Sequence, residues 1–166
     1  MSYILARQRD RDVVAAFAAY REYLLEKRSR FPTSAYTLAA SEWYFDFADR
    51  RCPHDSWLES VTIGEPSVGA RYEQRSSTLT IRLLGAYHDG HIELSYPEVY
   101  GYDMSGTHLG QGHGDWRYDE FRLSDSGRVI HEIEWAAFGQ TNRWLIEASD
   151  VFHRWIPGPL ESLTSS

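Results

Sequence analysis

The chain has one cysteine, Cys52, and in 166 residues no apolar run long enough for a signal peptide or a membrane span. A single thiol closes no intrachain disulfide and excludes a zinc site built from several thiolates. It is expected to stay reduced, as in a cytoplasmic protein. Cations are also scarce: 17 Lys and Arg against 24 Asp and Glu give a net charge of −7. That balance excludes sequence-independent binding to nucleic acid or to an anionic membrane, and suits a basic protein partner instead. No internal repeat and no linker interrupts the chain. Glycine-rich phosphate loops are absent as well, because Gly106, Gly110, Gly112 and Gly114 neither take the required spacing nor open a helix.

What is present is aromatic. Phe, Tyr and Trp make up 14% of the residues, and hydrophobic residues 42%, enough to exclude disorder and to build one core. The expected layout is a single domain over 1–156 with a flexible tail over 157–166. Asp10 or Asp12 caps a helix starting near Val13, whose Val13, Phe17, Tyr20 and Leu24 share a face, and Pro32 marks its end. Residues 33–50 are ambiguous. Ser34 can cap a helix through Ala39, whereas the alternation of Ser41, Trp43, Phe45 and Phe47 with polar neighbours favours a strand, and the strand is preferred.

From Trp57 onward a period of two dominates. Trp57, Val61 and Ile63 alternate with Leu58, Ser60 and Thr62 until Gly64-Glu-Pro-Ser breaks the run. Asp89-Gly90 reads as a two-residue hairpin turn that pairs Tyr87 with Ile92, Gly85 with Leu94 and Leu83 with Tyr96. Gly101 to Gly114 reads as a long functional or mobile loop. Leu123-Ser-Asp-Ser-Gly127-Arg fits a three-residue loop with Gly127 left-handed, which pairs Leu123 with Val129, Phe121 with His131 and Glu120 with Glu132. A turn around Phe138–Thr141 then pairs Trp135 with Trp144, Ile133 with Ile146 and Glu132 with Glu147. The expected fold is α+β: a mainly antiparallel, twisted meander of hairpins, open or closed like a barrel, with an N-terminal amphipathic helix packed on it.

These registers place Glu120, Glu132 and Glu147 in a row with Glu134 on the same face, neighbours standing roughly 5 Å apart. Such a row needs a divalent cation, arginines or water, and is the first candidate binding site. Asp119 and His131 are diagonal neighbours on the apolar face. They are a candidate acid–base pair, or a buried histidine with its satisfying carboxylate, and no nucleophile accompanies them. His88 and His91 flank the hairpin turn, and His108 and His113, with Asp103 and Asp115, could add ligands for a metal. Tyr100, Tyr102 and Trp116 are candidate aromatic anchors. No cofactor is expected, a divalent metal being the alternative. His54-Asp55 and His88-Asp89 match the His-Asp pair of metal-dependent phosphohydrolases, but neither lies in a helical pattern, and that activity is excluded.

At Leu94-Ser-Tyr-Pro-Glu-Val-Tyr100, Tyr118-Asp-Glu-Phe-Arg122 and His131-Glu-Ile-Glu-Trp135 the chain resembles small acidic bacterial proteins, some encoded as immunity partners of toxins. The resemblance covers residues 54–156 in strand pattern and implies no catalytic residue. It implies a non-enzymatic module that neutralises a basic partner. The alternatives are a metal-dependent hydrolase, with His131 as acid or base, and a small-molecule-binding β-barrel lined by aromatic rings.

Overall fold

The N-terminal third of the chain is helical in the computed structural model, which describes residues 1–107 and 109–159. Helix α1 spans Val13–Lys27, and the Asp12 carboxylate caps it by accepting from the Ala15 N–H at 2.9 Å. Ala16, Tyr20 and Leu24 form its buried face, while Val13 stays 43% exposed. Helix α2 spans Thr33–Ala39, and a 3-10 helix follows over Glu42–Phe45. The strand expected at 41–47 is therefore absent. Its alternation is that of a short, tight helix, which buries Tyr44 and leaves Trp43 and Phe45 half-buried. The cap of α2 is distant in sequence: Asp150, not Ser34, accepts from the Ser34 and Ala35 N–H groups at 3.4 and 2.8 Å.

Ten strands follow: β1 (Trp57–Gly64), β2 (Ser67–Val68), β3 (Gln74–Arg75), β4 (Ser77–Leu84), β5 (Gly90–Met104), β6 (Gly110–His113), β7 (Asp115–Leu123), β8 (Val129–Ala137), β9 (Gln140–Ala148) and β10 (Phe152–Pro157). Seven form one antiparallel sheet in the order β10-β5-β4-β1-β7-β8-β9, and β5 also pairs with β9, so six strands form a ring. β2 and β3 make a separate small hairpin.

The ring's weakest link is β1–β7, joined by one residue pair, Trp57 with Asp115. Past that pair α1 takes the place of a strand. The Tyr20 hydroxyl donates to the Phe121 carbonyl at 2.9 Å and accepts from its N–H at 2.8 Å. The Tyr23 hydroxyl accepts from the Leu123 N–H at 2.8 Å. Two tyrosines thus satisfy a strand edge whose polar groups would otherwise be left without partners.

The β7–β8 register is the expected one, with Leu123 opposite Val129, Phe121 opposite His131, Glu120 opposite Glu132, and Gly127 left-handed at φ 78°. Two other registers differ. Gly85 and Gly90 close a loop through the Gly85 N–H to Gly90 carbonyl bond of 2.9 Å, so Leu83 faces Ile92 and Leu79 faces Tyr96. His88 at φ 56° takes the left-handed position in place of Gly90. Between β8 and β9 the turn is Phe138-Gly139 alone, at φ 47° and 77°, so Glu132 faces Leu145 and Glu147 faces Ile130. Half of the expected loop is strand: Gly101–Met104 extends β5 along β9, and Gly110–His113 is β6. The tail starts later than expected, because Pro157 pairs with Gly90 and the Gly158 N–H donates to the Asp89 carbonyl at 2.8 Å; residues 160–166 lie outside the described residues.

One hydrophobic cluster runs from Ile4 through Tyr20, Leu38 and Tyr44 into the ring, where Trp116, Phe121, Ile133, Trp135 and Trp144 fill the interior. Among the described residues no helix is long and apolar enough to cross a membrane.

Candidate functional site

The carboxylate row exists on the outer face of β7 and β8, but the N-terminal segment covers it. Glu120 is fully buried and accepts from the N–H groups of Tyr3, Ile4 and Leu5 at 2.9, 2.7 and 3.2 Å, with the Arg122 Nε at 2.8 Å. Burial raises its pKa above the usual carboxylate value, while those N–H groups and Arg122 pull the other way. Glu132 is held by Arg122, and by Arg143 at 3.1 Å. Glu134 meets Arg9 at 3.1 Å and Arg143 at 3.0 Å. Glu147 stands apart from the row, beside Arg128 at 3.8 Å. Neither a metal nor a partner is needed to offset this charge, because arginines already do so.

Asp119 and His131 do meet, inside the ring. Asp119 accepts from the Tyr44 hydroxyl at 2.7 Å and the Trp116 indole N–H at 3.0 Å, and its Oδ2 lies 2.8 Å from His131 Nε2. The Tyr96 hydroxyl sits 2.6 Å from His131 Nδ1. Both imidazole nitrogens and both carboxylate oxygens are thus engaged, and all five side chains are buried. The grouping joins the helical layer to the ring as a satisfied buried network. Burial raises the pKa of Tyr44 and Tyr96 well above the usual phenol value, so both stay protonated.

The candidate metal ligands disperse. His88 packs edge-on against Trp57 at 4.6 Å between ring centroids. His91 bonds Glu59 at 3.1 Å. His113 lies beside Trp144, its pKa lowered by burial, and His108 lies outside the described residues. Among the described residues, no three His, Cys, Asp or Glu side chains are grouped to hold a metal ion. Of the aromatic anchors, Trp116 is fully buried, whereas Tyr100 and Tyr102 are half exposed in β5 and Arg128 covers the Tyr100 ring at 3.5 Å.

One cleft was not expected from the sequence. It opens at the β1–β7 seam with a volume of about 630 Å³, and Trp57, His113, Asp115, Arg117, Phe138 and Thr141 are among its lining residues. Trp57 is 50% exposed, and its indole N–H donates to Asp115 Oδ1 at 2.8 Å. Phe138, at the tip of the β8–β9 turn, is 83% exposed. Its positive φ is unusual: the first position of such a turn favours Asn, Asp or Gly, and a phenylalanine there is strained. A second groove of about 470 Å³ runs between α1 and α2, with Phe17, Leu24, Leu25, Tyr36 and Phe45 in its walls. Neither opening reaches Asp119 or His131.

The fold and the cleft define an α+β protein with an exposed aromatic trough at a ring seam. No family model matches the chain, and neither the curated proteins nor the solved structures give a match.

Proposed function

We propose that this chain is a non-enzymatic protein-binding module that meets a basic partner through the Trp57–Phe138 cleft. Phe138 carries the proposal. A phenylalanine in a strained turn position, with 83% of its surface in water, costs the fold stability and returns little burial. Contact with another molecule is the use such a residue serves, and half-exposed Trp57 supplies a second large flat ring on the same cleft.

The charge distribution favours a basic partner. Residues 1–51 hold nine of the 17 cations but only seven of the 24 acids, so the sheet half of the chain carries most of the negative charge. A field of that sign speeds encounter with a basic surface and selects for it. An immunity-type protein that neutralises a cationic toxin would use such a surface.

The test is affinity capture from a lysate of the producing cells at low and high salt, with wild type beside Trp57→Ala and Phe138→Ala. The expected result is a basic protein retained by wild type and lost from both variants. Identical captured proteins in all three lanes would sink the proposal.

A further inference from the structure

Arginines in this molecule sit over aromatic rings, and most of those pairs include a carboxylate. Arg51 lies 4.5 Å over Trp43 and binds Asp49 at 2.7 Å. Arg9 lies 4.4 Å over Tyr118 and binds Glu134 at 3.1 Å. Arg128 lies 3.5 Å over Tyr100, with Glu147 at 3.8 Å. A guanidinium suits this arrangement because its face stacks on a ring while its edge donates to a carboxylate.

Trp57 and Asp115 present the same two acceptors at the cleft. The indole N–H holds one oxygen of Asp115 at 2.8 Å and so fixes the carboxylate at the ring's edge. Among the described residues, no Arg or Lys stands over Trp57 or forms an ion pair with Asp115. Arg117 lines the same cleft but turns to Tyr118 and, at 3.9 Å, to Glu134. Asp115 Oδ2 has no protein donor among the described residues, and the Trp57 indole whose edge it meets is half exposed, with His88 packed against it at 4.6 Å.

Resting on the protein-binding reading above, we infer that the cleft takes an arginine side chain of the basic partner. Its guanidinium stacks on Trp57 and donates to Asp115 Oδ2, while Phe138 covers the stem from the opposite rim. Charge complementarity names this occupant: Asp115 is the acid of the cleft and forms no ion pair among the described residues, while Arg117 on its wall lies nearest Tyr118 and, at 3.9 Å, Glu134.

The test titrates the full chain with a labelled peptide of alternating glycine and arginine, and with its citrulline counterpart, which keeps the planar shape but replaces one NH2 donor by a carbonyl oxygen and lacks the charge. The arginine peptide should saturate at low salt, and the citrulline peptide should bind at least about tenfold more weakly. Asp115→Asn, which keeps an acceptor for the Trp57 N–H, should weaken the arginine peptide about tenfold, as should Trp57→Leu. Glu147→Gln, elsewhere on the sheet, should leave it unchanged, and unaltered circular dichroism checks folding of each variant. Equal binding of the two peptides, or an effect of Glu147→Gln as large as that of Asp115→Asn, would overturn the inference. If lysate capture depends on Trp57 while the arginine peptide fails, the protein-binding reading stands and the arginine assignment falls.

Discussion

Gly90 is needed for a different reason from the one a two-residue hairpin turn implies. A turn glycine with positive φ was expected there, whereas the left-handed residue of the loop is His88. Gly90 is required because the Trp155 ring packs on its backbone: an added Cβ would sit 2.4 Å from that ring. Gly90→Val should therefore cost about 1–3 kcal/mol, read as a lower midpoint in urea, whereas His88→Gly should be neutral or stabilising. Glu132 reverses sign. As a member of an unneutralised row it should gain stability on conversion to glutamine, but Arg122 and Arg143 both hold it. Glu132→Gln is expected to destabilise by about 1–2 kcal/mol, discounted because Arg143 is half exposed, and a gain would show that the arginines do not offset the row. Cys52 is buried, and burial pushes its thiol up to about 12. Thiol reagents should label it at neutral pH only after unfolding.

The hairpins show which information a strand pattern carries. The β7–β8 register was readable because the Ser-Asp-Ser-Gly turn and the apolar faces on either side of it agree. The β4–β5 and β8–β9 registers were misread by even steps, which keep every side chain on its correct face. Period-two alternation decides between faces but cannot distinguish registers that differ by an even step. Only the turn can do so, and neither His88 nor Phe138 is a residue from which a positive φ is expected. The candidate site was hidden for another reason: Trp57 and Asp115 are 58 positions apart and meet only where the ring closes. The cover over the carboxylate row was equally remote, since the Tyr3 N–H reaches Glu120 across 117 positions. Helix α1 gives a direct test of the closure. Tyr20→Phe removes the hydroxyl that serves both the N–H and the carbonyl of Phe121, and should cost roughly 2–3 kcal/mol. Hydrogen exchange at Phe121 should rise more than at Ile133, and equal protection would refute a role for the tyrosine in sealing the edge.

The pH response of the folded protein combines two opposing signs. Burial lowers the pKa of His113 and His153, so their contribution to stability is full above the ordinary histidine value of about 6.5 and is lost as pH falls through their depressed values. Glu120 works in reverse: its raised pKa favours the fold below the ordinary carboxylate value of about 4.3, and that contribution fades as pH rises through the folded value. Stability should therefore fall as pH drops below about 6.5 and then flatten as Glu120 takes up its proton. His153→Gln should shrink the first decline in urea melts taken across that range, and an unchanged slope would remove His153 from the account.

The helix that seals the ring also sets the order in which a nascent chain can complete its fold. α1 is synthesised well before the backbone edge that its tyrosines satisfy, which belongs to Phe121 and Leu123, 101 and 100 positions further along. Tyr3, Ile4 and Leu5 likewise wait for Glu120, and α2 waits for the carboxylate of Asp150. These backbone and cap bonds must wait for residues that follow about a hundred positions later, although the aromatic side chains of α1 already have Phe31 and Phe45 close by. Until then the apolar side of α1 has only neighbours such as Tyr3, Phe31 and Phe45 to pack on, and assembly ends with long-range closures of the kind that make folding slow.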